Sequence, residues 1–593
     1  MSLLTFLREL WLVKKTLIVI FTPIIFLPIA VLGQTIESRC AYGLSIMTVY
    51  WITEALPLAC TALLPVLIFP LLEVQPVGKI CANYIKDASM FGFSCLTFAI
   101  AVEKCRLHKR IALRTLLLAG SNPKWLMLGF MVPTWFMSMW MSNTATTAMM
   151  LPIVQAVLQE LDPAQHKIKG EEEHDLIDNN LSKRGSSILS KRHPFKTEED
   201  NYKKLCKGMC ICVAYAANIG GSGSLSGTSP NLILQGQAEI IFSERGLDSG
   251  VNFVSWMIFA LPGSVISVIL AWLWLSLFFM GPRKWMKWKC GTDEGVGNLL
   301  KRQYDELGPI TFAEKSVVAH FVVLIVLWLS KKPPVVPGWG SFFPRKYVGD
   351  SAVAVLLCLS LFVFPSERPK TLFFKRKSTD RGETVPALLD WKTVEKNYPW
   401  GVLLLLGGGY ALAGVCQDSG LSTSISQYLH VFVIFEPWLM NFFLTILVSI
   451  CTEVTSNTAT SAILIPIMAQ LAVGLSINPL YLMWSCCIAT SFAFMLPVAT
   501  PPNAIVFATG HLQVKDMVLS GSVLNFLCVI VLNLGVNTWG KAYFNLGVIP
   551  PEFLTNTTSF AVGSSSANGT MNFTDIEQPL QTISQILNIS TIV

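Results

Sequence analysis

Six stretches of this chain, residues 17–32, 261–279, 316–329, 352–364, 442–450 and 523–534, are almost continuously apolar. Several approach the roughly 20 residues that a helix needs to cross a bilayer. No water-soluble core could shelter so many. The composition agrees: 52% of the 593 residues are hydrophobic and 14% charged, against about 25% charged in an average soluble domain. With the shorter, Gly- or Pro-interrupted segments added, the sequence predicts an all-α polytopic membrane protein of about ten to twelve membrane helices.

The net charge of +7 does not point to nucleic acid, because Lys and Arg fall in blocks at the ends of apolar segments: 8–15, 104–114, 167–207, 283–302 and 368–381. Such blocks mark cytoplasmic loops. Segment 17–33 follows the first block and is read as a membrane helix, since it has no clear small-residue cleavage site. The chain after Pro551 turns polar and carries sequons at Asn556, Asn568, Asn572 and Asn588, which predicts an extracellular, glycosylated C-terminus on a plasma-membrane protein. A single sequon says little, since Asn180 lies in one within a loop read as cytoplasmic. The 15 cysteines are scattered, and Cys206, Cys210 and Cys212 lack paired metal-ligand spacing, so they read as small buried hydrophobes.

The chain is built twice. Residues 138–153, SMWMSNTATTAMMLPI, match residues 452–467, TEVTSNTATSAILIPI, at 8 of 16 positions. Gly227-Thr228-Ser229-Pro230-Asn231 follows the first copy as Ala499-Thr500-Pro501-Pro502-Asn503 follows the second, and Phe98-Ala99-Ile100-Ala101 precedes the first as Tyr410-Ala411-Leu412-Ala413 precedes the second. The first two ordered matches indicate duplication, and the Ala-x-Ala pair is a weaker echo of it. The interval from Thr144 to Thr228 is 84 residues and that from Thr458 to Thr500 is 42, so a charged insert separates the first pair. The predicted organisation is a first repeat over 1–158 and 206–310, interrupted by a cytoplasmic insert at 159–205. A second repeat follows over 311–475 and 476–550, with a tail at 551–593. Repeated, interrupted helices are the mark of secondary transporters, and an odd number of crossings per half would make the repeats inverted.

Ser, Asn and Thr opening an apolar run are N-cap residues, and a helix start with unsatisfied N–H groups favours an anion such as carboxylate. Asn143, Thr144, Asn457 and Thr458 can donate to its oxygens. The same hydroxyls and amides, with carbonyls freed near Pro230 and Pro501-Pro502, suit a sodium ion. Ser138 and Thr452 each lie four residues before a motif Ser, which predicts a position one helical turn back on the same side. Small polar residues also serve close packing between membrane helices, but two ordered copies, each followed by a Thr-x-Pro-Asn loop, favour binding. Glu54, Glu103 and Glu453 read either as intramembrane functional acids or as helix ends in water, and His108 reads as a membrane-surface residue. No nucleophile–base set, metal cluster or phosphate loop can be assembled, which argues against an enzyme.

At these residues the sequence resembles the divalent anion:sodium symporter family, in particular its animal sodium-dependent dicarboxylate and citrate cotransporters. The carrying stretches are LHKRIALRTLL from Leu107, SMWMSNTATTAMMLPI from Ser138, LGPITFAEK from Leu307, LLLLGGGYALA from Leu403 and SFAFMLPVATPPNAIVF from Ser491. The resemblance implies a homodimer in which each protomer has a scaffold and a transport domain moving as an elevator. It also implies two inverted repeats whose Ser-Asn-Thr motifs sit at the tips of re-entrant helical hairpins. One sodium site would use Ser138, Asn143 and Gly227, the other Thr452, Asn457 and Ala499. Substrate would touch Ser142, Asn143, Thr144, Thr228, Ser456, Asn457, Thr458, Thr500 and Pro501.

Sodium would travel with the acid, no organic cofactor would be needed, and a succinate-like acid is favoured over sulfate because sulfate carriers of the family differ at the motifs. Electrogenic uptake would follow where sodium charge exceeds substrate charge. The chain departs from its resemblance at Ser94-Cys95, where close relatives have two glycines, and at Cys105-Arg106, where they have Trp-Asn. The rivals are a sulfate- or citrate-preferring carrier of the same fold and a non-transporting receptor for the same acids.

Overall fold

The computed structural model describes residues 12–162 (residue 121 apart), 192–281, 293–331, 337–344, 347–368, 385–421, 424 and 436–553. Asn180 and the tail sequons Asn556, Asn568, Asn572 and Asn588 lie outside them, as does most of the charged insert. The chain divides into a unit spanning residues 1–549 and a second from residue 550 onward, described only for its first turn, Pro551–Phe553. Among the described residues the fold is all-helical, with one isolated bridge between Pro365 and Ala387.

The first half runs α1 (Lys14–Gly33), α2 (Ile36–Thr53), α3 (Asp87–Lys104), α4 (Leu107–Ala119), α5 (Pro123–Ser138), α6 (Asn143–Glu160), α7 (Arg192–Ser222), α8 (Ser229–Ser243) and α9 (Phe253–Met280). After α10 (Asp293–Asp305) come α11 (Phe312–Lys331), α12 (Asp350–Val363), α13 (Trp400–Asp418), α14 (Pro437–Val454), α15 (Asn457–Gly474), α16 (Pro479–Ala489), α17 (Pro501–Phe507) and α18 (Val514–Gly535). The duplication is visible element by element. The Ala-x-Ala echoes lie on α3 and α13; the Ser-Asn-Thr motifs start α6 and α15; the Thr-x-Pro-Asn motifs start α8 and α17. Pro152 and Pro466 fall at the same place in α6 and α15, where each removes one helical donor.

Among the described residues seven helices are long and apolar enough to cross a membrane, or eight if α3 and α4, bent by 67°, form one span. That is fewer than the ten to twelve expected. Several remaining elements are too short: α12 has 14 residues and α16 has 11. Helix α1 is the clearest lipid-facing span. Ile20, Phe21, Ile24, Ile25 and Leu32 are all exposed on it, as apolar side chains are when lipid is the solvent. The inner helices are buried instead; on α7, residues 205–222 are almost wholly enclosed.

Two of the signature stretches meet. Arg110 Nε on α4 donates to Glu314 Oε1 on α11 at 2.9 Å, and its Nη atoms donate to the carbonyls of Gly308 at 2.9 Å and Leu307 at 3.2 Å. Both partners are buried, so one residue of the block read as cytoplasmic surface is instead an internal anchor. His108 is half-buried rather than superficial, its Nδ1 3.2 Å from the Val102 carbonyl oxygen.

The bend between α3 and α4 falls at the departure Cys105-Arg106, and Arg106 there adopts a left-handed backbone, φ 60°. That region disfavours most side chains by about 1–2 kcal/mol and suits Asn better. Arg106→Asn is therefore expected to raise thermal stability, by about 0.5–1 kcal/mol, and a melting curve in detergent checks it.

Candidate functional site

Each Ser-Asn-Thr motif sits just past a tight turn between two helices. Ser138 is the last residue of α5 and Thr452 is near the end of α14, so both hydroxyls come from the incoming arm. The expectation that they sit one turn back on the motif's own helix is corrected: the chain turns between them, and the turn brings them together. Ser138 Oγ lies 2.6 Å from Asn143 Oδ1 and 2.7 Å from the Ala217 carbonyl oxygen. In the second repeat Thr452 Oγ1 lies 2.8 Å from Asn457 Oδ1 and 2.9 Å from the Thr490 carbonyl oxygen.

One hydroxyl proton can be donated to only one of its two acceptors. In each repeat, then, a hydroxyl, an amide and a backbone carbonyl gather at one point, a set of neutral oxygens that suits a hard cation. Groups of three or more His, Cys, Asp or Glu side chains able to hold a metal are not found among the described residues. Neutral oxygens of this kind suit an alkali cation rather than a transition metal.

The breaks between α7 and α8 (223–228) and between α16 and α17 (490–500) lie where unwinding was expected. Each is shaped by the Asn of its Thr-x-Pro-Asn motif. Asn231 Nδ2 donates to the carbonyls of Gly221 (2.9 Å) and Ser224 (2.7 Å), and Asn503 Nδ2 to those of Ala493 (2.9 Å) and Leu496 (3.0 Å), at identical offsets of 10 and 7 residues. Glycine is favoured at the end of α7 and required in the break itself. A Cβ on Gly221 would stand 2.4 Å from Asn143 Oδ1, and one on Gly227 would stand 2.4 Å from the Gly221 oxygen. The backbone at Gly227 thus approaches the Ser138–Asn143 oxygens through Gly221.

The second break is held by a carboxylate. Glu453 is buried; its Oε1 accepts from the backbone N–H of Phe494 (2.8 Å) and Met495 (2.9 Å) and from Asn525 Nδ2 (2.7 Å), and its Oε2 from Leu496 N–H (3.1 Å). The first repeat has Met139 at this place, and there the Met139 carbonyl accepts from the Ser224 hydroxyl. Of the three acids left open by sequence, Glu453 is enclosed while Glu54 and Glu103 are exposed.

The repeats interleave. Helix α6 packs on α17, and α15 packs on α8, so each motif helix borders the other repeat's broken helix. Asn218 Nδ2 donates to Thr500 Oγ1 at 3.1 Å, and Asn143 Nδ2 approaches Asn218 Oδ1 at 3.5 Å, which links the two halves directly. Ser142 caps α6 by accepting from Ala145 N–H at 3.2 Å; Ser456 starts α15 without such a side-chain bond; Thr500 caps α17 by accepting from Asn503 N–H at 3.4 Å. Ser142, Thr144 and Pro501 are exposed and Asn143, Thr228, Ser456, Asn457 and Thr458 half-buried, while Ala499 and Thr500 are buried. Among the described residues no hydrogen bond joins one Ser-Asn-Thr motif to the other, nor Ala499 to Asn457. Asn218, Gly221 and Asn525 were missed by sequence reasoning; Asn218 alone left a signal, an amide inside the apolar run AYAANIGG. Cys95, one of the departures, lies beside Ser226 in the first break.

Residues 8–546 match the profile of the sodium:sulfate symporter transmembrane region. The chain is 42% identical to the Na(+)/citrate cotransporter of Rattus norvegicus, over 91% of this chain and 96% of the relative. It is 40% identical to the Na(+)/dicarboxylate cotransporter 3 of Homo sapiens, over 92% and 94%. It is also 40% identical to solute carrier family 13 member 2 of Homo sapiens, over 93% and 97%. With both repeats matched from end to end, this chain belongs to the sodium:sulfate symporter family, a family of membrane symporters rather than enzymes.

Proposed function

We propose that this protein is a sodium-coupled symporter of di- and tricarboxylates, succinate-like acids first, working at the plasma membrane. The observation that carries this reading is the paired oxygen clusters: Ser138–Asn143–Ala217 in the first repeat and Thr452–Asn457–Thr490 in the second have the same geometry. Sodium occupies each cluster, with the backbone at Gly227 and at Ala499 completing the two sites. The acid lies against the starts of α6 and α15, held by Ser142, Asn143, Thr144, Ser456, Asn457 and Thr458. Thr228, Thr500 and Pro501 face it from the broken helices.

The energetics favour this division of labour. A helix start contributes about 0.3–1 kcal/mol toward an anion, and a sodium ion a few ångströms away adds an attraction that is strong where water is excluded. Asn143 and Asn457 each turn Oδ1 to sodium and leave N–H groups for carboxylate, so ion and acid reinforce each other. Two sodium ions neutralise a divalent acid; a current accompanies uptake only if a further cation travels with them. Each protomer of a homodimer moves the two hairpins and broken helices as one body past the scaffold, in an elevator cycle between inverted repeats. The names of the relatives, a citrate and a dicarboxylate cotransporter, support carboxylate over sulfate.

The test is uptake of labelled succinate by expressing cells in sodium against choline medium, with citrate and sulfate as competitors. Uptake in sodium that falls to background in choline is expected, with citrate competing and sulfate not. No sodium-dependent uptake by surface-expressed protein would overturn the symport reading.

A further inference from the structure

We propose that Cys40 and Cys416 form a disulfide that staples α2 to α13 on the external side of the protein. The two residues are 376 apart in sequence, yet their Sγ atoms lie 3.9 Å from each other in the reduced form described here. Both are buried, so the pair is enclosed between the two helices. The distance exceeds the S–S bond of about 2.05 Å, so the two side chains must draw together to bond, across helices that already pack against each other.

A second set of contacts holds the helix ends in register. Ser424, just beyond α13, donates to Glu37 Oε2 at 2.9 Å, and Glu37 lies one turn before Cys40. Gly420 takes φ +79° beside Glu37, with room for a Cβ only 3.3 Å from its Oε1. Lys79 Nζ pairs with Asp418 Oδ2 at 2.8 Å, fixing the last residue of α13 from another segment. These ties leave the thiols little freedom to part.

Charge placement sets the compartment. Helix α1 leaves the basic block 8–15, so its far end and the start of α2 lie outside. The start of α13 is the opposite end from Cys416, and the segment before it is tied by Asp390 to Lys104 of another basic block, at 2.7 Å. Cys40 and Cys416 therefore both approach the external face, where disulfides form and persist. In the secretory lumen, before the helices close, one thiolate attacks a disulfide oxidant such as oxidised glutathione, and the second thiolate then displaces the glutathione. Two cysteine thiols lose two electrons and two protons; one oxidised glutathione becomes two reduced ones.

The experiment uses the full chain from expressing cells. Membranes are treated with N-ethylmaleimide, denatured in its presence, digested without reductant and examined by mass spectrometry. A peptide pair joined through Cys40 and Cys416, lost after dithiothreitol, is expected. Recovery of both cysteines as N-ethylmaleimide adducts overturns the proposal. Independently, Cys40→Ser, Cys416→Ser and the double variant should share one lowered melting temperature, because each breaks the same bond. Additive shifts, or none, would show two unlinked thiols. Neither readout depends on transport, so failure here leaves the symport reading standing.

Discussion

Asn143→Ala is expected to lower sodium-dependent uptake by about 10- to 100-fold, and Asn457→Ala to do the same, each raising the sodium and the substrate concentrations needed for half-maximal uptake. The magnitude follows from the loss of one charge-assisted oxygen contact and one amide donor, about 1.5–3 kcal/mol together. The coupling follows from geometry. Asn143 Oδ1 is the oxygen 2.6 Å from Ser138 Oγ, while its Nδ2 points toward Asn218 and so toward Thr500. Removing the Asn143 side chain would disturb the proposed sodium ligand and the bridge between repeats at once. Surface-normalised uptake at varied sodium and succinate separates the two constants. A variant that keeps the parent's sodium activation while losing substrate affinity would show that Asn143 does not serve both.

The duplication was legible in the sequence because each copy solves the same geometric problem with the same residues. Asn231 and Asn503 each bridge two carbonyls at the same offsets, which only an amide in that place can do. The helix starts at Asn143 and Asn457 were readable too, since Ser before an apolar run is an N-cap signal. What stayed hidden depends on pairs distant in the chain. Ser138 lies four residues before Ser142, a spacing that fits one helix, and only the tertiary turn moves it to the facing arm. Arg110 looked like one member of a surface block because its partner Glu314 is 204 residues away. The ends of the short α12 and α16 stayed hidden too, since apolar composition does not reveal where a helix stops.

Glu453→Ala is expected to abolish most sodium-dependent uptake, and the reason is the asymmetry between repeats. In the first repeat the break is tied by the Ser224 hydroxyl to the backbone carbonyl of Met139, a contact that no side-chain substitution at 139 removes. In the second, the N–H groups of Phe494, Met495 and Leu496 all depend on one side chain. Its truncation leaves these three N–H groups and Asn525 Nδ2 without that acceptor, at about 1–3 kcal/mol for each of the buried donors, Phe494 N–H and Asn525 Nδ2. Segment 490–500 must then rearrange to reach other partners, and Ala499 and Thr500 lie at its end. Met139→Leu, a change of similar volume costing under about 1.5 kcal/mol, leaves the first break intact and serves as the matched control. Glu453→Gln retains one acceptor oxygen and is expected to fall between Ala and the parent. Uptake per surface molecule, followed against sodium, is the measurement. If Glu453→Ala reaches the surface and activates at the parent's sodium concentration, the carboxylate does not position the second sodium site.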